Sequence, residues 1–257
     1  MSGINFLSEN YIDNSDLSLT TGSENAQFPL SNIKNAATVK KFRSTGNTVV
    51  IEIDLQQTRA LDALAIAGDA TGTFGVTAAS FKTSVTTDFS GSSAINVDIS
   101  AEQNMGYVFF TQVSHRFVEL TLTGTGSFCE VGSIFIGERI NLPLNSFSVN
   151  SFKYKYQDRS RVQSNRYGQK FIDELPLIKE LGGTIEYATK TEQEQLDDMF
   201  IYHGKKRPLW VFVDPDSEAM NEGKYKLTMY AYMPQMPEWR SVGGQLYSTT
   251  INLEQAI

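Results

Sequence analysis

The stretch Ser114–Ile140, SHRFVELTLTGTGSFCEVGSIFIGERI, decides how the chain is read. It holds two apolar runs, Phe117–Leu122 and Val131–Ile136, separated by a turn rich in Gly, Thr and Ser. The first alternates with period 2, as a strand with one buried face does; the second reads as a short buried run. Together they read as the closing strand pair of one domain, with Gly137–Pro143 as the passage into another.

Working back toward the amino terminus, the same grammar repeats. Thr48–Leu55 is β-branched and alternating, the pattern of a half-buried strand. Ala60–Ala67 is apolar, stops at Gly68 and reads as a second core strand. Ala78–Val85, Ile95–Ile99 and Tyr107–Gln112 continue the series, and Leu17 and Leu19 mark a short strand. Phe28–Ile33 reads as a packed turn, because Pro29 cannot extend a helix. Short strands, regular turns and little helical period predict a β-sandwich or jelly roll over residues 1–140.

Past the passage, residues 141–257 read differently. Phe147–Tyr156 alternates, with a slip of phase near Asn150, and Lys153 and Lys155 take the other face. Gln157–Gln169 is polar and carries Arg159, Arg161 and Arg166 before Tyr167-Gly168. With a second strand over Lys170–Leu177, this predicts a long hairpin with a basic tip. A strand over Leu181–Thr189 follows. Thr191-Glu192-Gln193-Glu194 is a capping-box pattern, Leu196, Met199 and Phe200 form one apolar stripe, and Gly204 is a stop signal. Strands over Pro208–Val213 (ending at Asp214-Pro215-Asp216), Lys224–Met233 and Leu246–Leu253 complete a mainly β fold, whose second domain is α+β with one helix.

The net charge of −7 argues against a general nucleic-acid binder. It is unevenly placed. Residues 1–140 carry −6 and residues 141–257 carry −1, yet Ser151–Lys170 alone carries +5. The lone cysteine, Cys129, excludes an internal disulfide and fits manufacture in a reducing cytoplasm. Met1–Asn5 lacks the basic start and apolar core of a secretion signal, and no stretch approaches the ~20 apolar residues of a membrane helix.

Catalytic chemistry is not legible. His115 and His203 are too few for most metal or triad arrangements; His115 could orient an anion or be ordinary packing, and His203 suits a helix end. Cys129 reads as a small buried apolar group. Glu192, Glu194, Asp197 and Asp198 read as helix-start and solvated-face acids, although carboxylates can meet in space without a sequence signature. No phosphate loop or nucleophile elbow is present. The expectation is no enzyme, no metal and no cofactor. The strongest candidate is the hairpin, either a solvated loop or a docking arm whose Arg159, Arg161 and Arg166 pair with a neighbouring subunit's carboxylates beside Tyr167. Trp239 and Arg240 are candidate interface anchors by residue type, with a core tryptophan as the equal alternative. Phe74, Phe81 and Phe89, near Gly-rich loops, could stack on a sugar or lie in the core. Asp13, Asp16 and Glu24 lack a calcium-loop spacing and read as turns.

Phe28-Pro29-Leu30-Ser31-Asn32-Ile33, Phe42-Arg43-Ser44, Val50–Leu55 and Leu61–Ile66, with Arg116–Leu122 and Val131–Gly137 as closing strands, resemble the galactose-binding-like (discoidin-type) jelly rolls. More narrowly, they resemble the version in tail proteins of bacteriophages and gene transfer agents. Asp158–Arg161, Gly168-Gln169 and His203–Asp216 resemble the split-barrel domains of tail rings and distal tail adaptors. The resemblance implies a structural virion protein of the tail tip or baseplate. It would form a homo-oligomeric ring, most plausibly a hexamer, joined to tube, hub or fibre proteins and assembled in the host cytoplasm. It also implies an alternative, a carbohydrate-binding protein that attaches to a host-surface glycan. The order of the two domains is the reverse of the usual adaptor.

Overall fold

The computed structural model describes residues 3–68, 75–142, 151, 153–213 and 227–256. The described strands are β1 (Ile4–Leu7), β2 (Asp16–Thr21), β3 (Phe42–Arg43), β4 (Thr48–Ala67), β5 (Val76–Ser84), β6 (Ile95–Ser100), β7 (Met105–Gly124), β8 (Glu130–Val131) and β9 (Ser133–Gly137). There follow β10 (Arg139–Leu142), β11 (Lys153–Gln157), β12 (Arg161–Ser164), β13 (Lys170–Asp173), β14 (Ile178–Ala188), β15 (Leu209–Val213), β16 (Thr228–Tyr232), β17 (Trp239–Gly243) and β18 (Leu246–Gln255). One α-helix, α1 (Lys190–His203), lies between β14 and β15. The fold is mainly β, with one helix and a long hairpin.

The sandwich is built on two 20-residue strands, β4 and β7, paired antiparallel along their length. Thr48–Leu55 and Ala60–Ala67, expected as separate strands, are two halves of β4. Gln56 takes a positive φ of 66° and the register shifts between Asp54 and Arg59, so the strand bends without ending. The first half pairs with β2, the second with β9, and β6 pairs with both β5 and the start of β7. The sheet thereby folds over its own core, which holds Ile51, Ile53, Leu64, Ile66, Phe81, Leu120 and Ile134. The expected closing pair differs in its partners: Phe117–Leu122 pairs with β4 and β5, while Ser133–Gly137 pairs with the far half of β4.

The second sheet runs β10-β1-β15-β16-β18-β14-β11, with β17 beside β18. It is open, since β10 and β11 are its edges, where a barrel-like closure was expected. Its membership also departs from a division at residue 140. Ile4–Leu7 sits between β10 and β15, so the sandwich is inserted between two strands of this sheet and does not precede it. Asn10 and Asp62 fix the two crossings. The Asn10 amide donates to Ile134 O (3.0 Å) and its Oδ1 accepts from Ile136 N (3.2 Å); Asp62 accepts from the backbone and the Nε of Arg139 (2.9 and 3.0 Å). The crossings run so close that a Cβ on Gly137 would lie 2.5 Å from Glu9 O, which only glycine accommodates.

Both faces of this sheet are covered, which explains its unbroken apolar runs. Phe6, Leu209, Val211, Met229 and Ile251 pack with Leu196, Met199 and Phe200 of α1. On the other face, Leu7, Trp210, Phe212 and Tyr230 pack against Ala63, Ala65 and Ala67 of β4 and Phe135 of β9. The helix is capped two residues earlier than expected. Thr189 Oγ1 accepts from Glu192 N (3.3 Å) and Glu192 returns to Thr189 N (2.7 Å), while Glu194 pairs with Lys190. Residues 143–150, 152 and 214–216, part of the expected strands and turns, lie outside the described residues.

The alanine face of β4 leaves no room for a larger side chain. Ala65→Leu is expected to lower stability by about 1–3 kcal/mol through overpacking against Trp210 and Phe212, read as a shifted urea midpoint.

Candidate functional site

The predicted hairpin is present and open to solvent. β11 and β14 pair from Lys153↔Gly182 to Gln157↔Ile178, the ladder breaks, and β12 and β13 resume it as a separate two-stranded ribbon. At the break, Ser160 N donates to Asp158 Oδ1 (2.8 Å) and Leu175 N donates to Ser160 Oγ (3.1 Å). At the tip, Asn165 Oδ1 accepts from Tyr167 N (2.9 Å) and Gln169 N (3.0 Å), with Gly168 at φ +80°. The ribbon is thus locally well specified by Asx-type turns.

What the arm lacks is a core. Val162 is 58% exposed, Tyr167 73%, Phe171 60%, Ile172 59% and Leu177 58%. Val162 stands opposite Ile172 on one face and Gln163 opposite Phe171 on the other, so apolar groups emerge on both faces. A two-stranded ribbon alone is at best marginally stable in water. Covering an open apolar side chain contributes about 1.5–3 kcal/mol, so these groups together offer on the order of 10 kcal/mol. That is the scale of the roughly 4–15 kcal/mol that association costs.

The structure divides the predicted arginines. Arg159 is already paired with Glu254 of β18 in its own chain and anchors the base of the arm. Arg166 lies over the Tyr167 ring, its Cζ 4.7 Å from the centroid. Arg161 is exposed on β12. Only Arg161 and Arg166 therefore fit the role of reaching out. Trp239 does not fit an exposed anchor: it is half-buried, packs on the helix core and lies 6.0 Å from Phe200, whereas Arg240 beside it is exposed. Phe81 (1% exposed) and Phe89 (8%) are buried in the sandwich and present no ring for a sugar; Phe74 lies outside the described residues.

Sequence reading missed a cleft of about 350 Å³ where the turn after β1 and the segment after α1 approach each other. Glu9, Asp13, Lys34, Asn35, Tyr202 and Arg207 are among its lining groups. The Arg207 guanidinium sits 4.4 Å above the Tyr202 ring. His203, buried at its floor, donates its Nδ1–H to Arg207 O at 3.1 Å; burial pushes its pKa down against the pull of nearby carbonyls. No spacing in the chain announces this site, because its groups come from segments nearly 200 residues apart and meet only through the pairing of β1 with β15. His115 is engaged with Thr83 Oγ1 at 2.8 Å. Among the described residues, no three His, Cys, Asp or Glu side chains are grouped so as to hold a metal, and no helix is long and apolar enough to cross a membrane.

No family model and no curated protein matches the chain. Among solved structures, it is similar to a family 32 carbohydrate-binding module of a Clostridium perfringens family 31 glycoside hydrolase (12% identity, 51% of this chain and 99% of that one, TM-score 0.42). It is likewise similar to a fucose-binding module of Streptococcus pneumoniae (14%, 51% and 98%, TM-score 0.42). A third is the family 32 module of C. perfringens NanJ in complex with galactose (14%, 53% and 99%, TM-score 0.42). At this level of likeness, the strand pairing itself remains the ground for the fold.

Two expectations concern buried titratable groups. Burial drives the Cys129 thiol up to about 12, with Glu130 adding to the effect. A thiol reagent at pH 8 should leave it unlabelled in the folded protein and label it fully in urea. Burial also lowers the Lys179 amine from 10.5 to about 8. Between those values the unfolded chain holds more protons than the folded one, so stability rises with pH across that window. Wild type minus Lys179→Met should show that rise, on the order of 1–3 kcal/mol, in urea titrations at pH 7 and pH 10.

Proposed function

We propose that this protein is a non-catalytic docking and assembly component, which associates with further copies of itself through the arm at 158–177. The observation that carries this reading is the apolar ribbon without a core. A second copy is the occupant the charges favour. Ser151–Lys170 carries +5 while the whole chain carries −7, leaving −12 on the remaining residues of any neighbour. Arg161 and Arg166 are the free cations to meet those acids. The small gain from one arm suits a multivalent array, where each contact is weak and closure supplies the rest. The ring component of a phage-like tail tip is the finer form of this reading. It rests on the sequence resemblance, and brings with it a virion location, a sixfold ring and tube, hub or fibre partners.

The test is the mass of the full-length protein by sedimentation equilibrium, beside a variant with Val162, Phe171 and Ile172 changed to Ser. Oligomers are expected in the first and monomers in the second, with circular dichroism unchanged. Monomers of both, at the highest soluble concentration, would remove self-docking.

A second reading is favoured by the cleft at Asp13, Tyr202 and Arg207. Carboxylate, amide, guanidinium and an accessible aromatic ring are the groups that grip a sugar, so carbohydrate binding, at a host surface in the tail reading, is proposed here for that cleft. A glycan array probed with the full-length protein is expected to give hits that vanish in Arg207→Ala. Hits that survive that change would move the sugar elsewhere, and a blank array would end this reading.

A further inference from the structure

A second cleft, of about 230 Å³, opens on the other side of the junction between sandwich and sheet. Lys179, Trp210 and Thr38 are among its lining residues. Lys179, on β14, is only 6% exposed, and its ammonium donates to the side-chain oxygen of Gln103, which arrives from the turn before β7. No described carboxylate forms an ion pair with it. Trp210 is 1% exposed and Thr38 is 3% exposed, and neither the indole N–H nor the Thr38 hydroxyl has a hydrogen-bond partner. Three elements that are distant in sequence thus line one cleft with Lys179, Trp210 and Thr38, and Gln103 is the acceptor bonded to the cation.

Such an arrangement is costly unless something satisfies it. A buried donor left unmade sacrifices its hydration, and an unpaired buried ammonium sacrifices more. A bound water can serve one hydroxyl or one indole, but it leaves the positive charge uncompensated. A small oxyanion compensates the charge and supplies acceptors to the other two donors at once.

We propose that this cleft is a binding site for a small oxyanion, a carboxylate or a phosphate group, held by the Lys179 ammonium, the Trp210 indole N–H and the Thr38 hydroxyl. The groups facing Lys179 set its pH behaviour. Glu102 stands exposed at the mouth and weakens the attraction without entering an ion pair. Tyr156 of β11 and Tyr230 of β16 also line the cleft, and burial raises the Tyr230 phenol, which stays neutral. Within the cleft, the Lys179 amine, which titrates at about 8, loses its charge between pH 7 and pH 9.5. Occupancy locks the junction, because the ligand would touch Thr38 of the sandwich together with Lys179 and Trp210 of the sheet.

The experiment titrates the full-length protein with sodium acetate and, separately, with inorganic phosphate. Binding is followed by Trp fluorescence and by thermal shift against sodium chloride at equal ionic strength. Saturable binding is expected at pH 7 and should weaken about tenfold or more at pH 9.5, as the ammonium is lost. Lys179→Met should abolish it. Trp210→Phe, followed by thermal shift, should weaken it several-fold while keeping the ring packing. Acetate binding without phosphate binding would assign the site to carboxylates, including one presented by a partner chain; the reverse would assign it to phosphate. Either result supports the proposal. No saturable response to either anion in the folded wild type would overturn it, as would equal binding by Lys179→Met. Lys179→Gln, which keeps a polar group of similar size, separates loss of charge from any misfolding of the methionine variant.

Discussion

The structure depends on one packing contact, the meeting of three alanines with three large aromatics. Ala63, Ala65 and Ala67 form a flat strip along the outer face of β4, and Trp210, Phe212 and Tyr230 lie across it. The Trp210 and Phe212 rings are nearly parallel, 9° apart with centroids at 5.8 Å, and Tyr107 packs 4.7 Å from Phe212. Small residues facing large ones let two sheets approach while filling the space between them. A sandwich and an antiparallel sheet covered by one helix thereby become one body, and the two clefts exist because the seam between curved sheets is filled at its centre and open at its ends.

The insertion of the sandwich between β1 and β10 gives that seam its rigidity. Both chain crossings lie side by side, tied by Asn10 and Asp62 and closed by Gly137. Asn10 uses its side-chain amide on backbone groups of β9, on Ile12 N and on the Asp13 carboxylate, so it holds the cleft wall and is not free to meet a ligand. The arm is the opposite case. It grows from β11, an edge strand guarded by Lys153 and Lys155, and extends beyond any core. Rigid seam and bare arm together are what a docking component requires: a fixed base from which an adhesive segment projects.

Much of the fold was legible because it rests on local periodicity. Val49, Ile51, Ile53 and Leu55 alternate as their burial does, and Leu196, Met199 and Phe200 share a helix face. The long hairpin was visible as two alternating runs around a polar tip. The errors share one cause. β4 was divided at Gln56 because a bulge looks like a turn in one dimension. The cap was placed at Thr191 because Thr189 and Thr191 both precede a glutamate by three residues, and only backbone geometry chooses between them. Of the site residues, Arg159 and Trp239 have partners, Glu254 and Phe200, that no local pattern announces because they are far away in the chain.

By itself, the sequence determined a mainly β chain with one helix, a basic hairpin and no catalytic signature, since composition, period and turn chemistry are local properties. Tertiary structure alone decided that Ile4–Leu7 belongs to the second sheet, that the alanine face of β4 is a seam, and that His203, Arg207 and Asp13 share one cleft while Lys179, Trp210 and Thr38 share another. The physical reason is that a strand's side chains have two faces but its sequence is a single line. Alternation shows that the faces differ, and only the pairing of distant strands shows what each face meets.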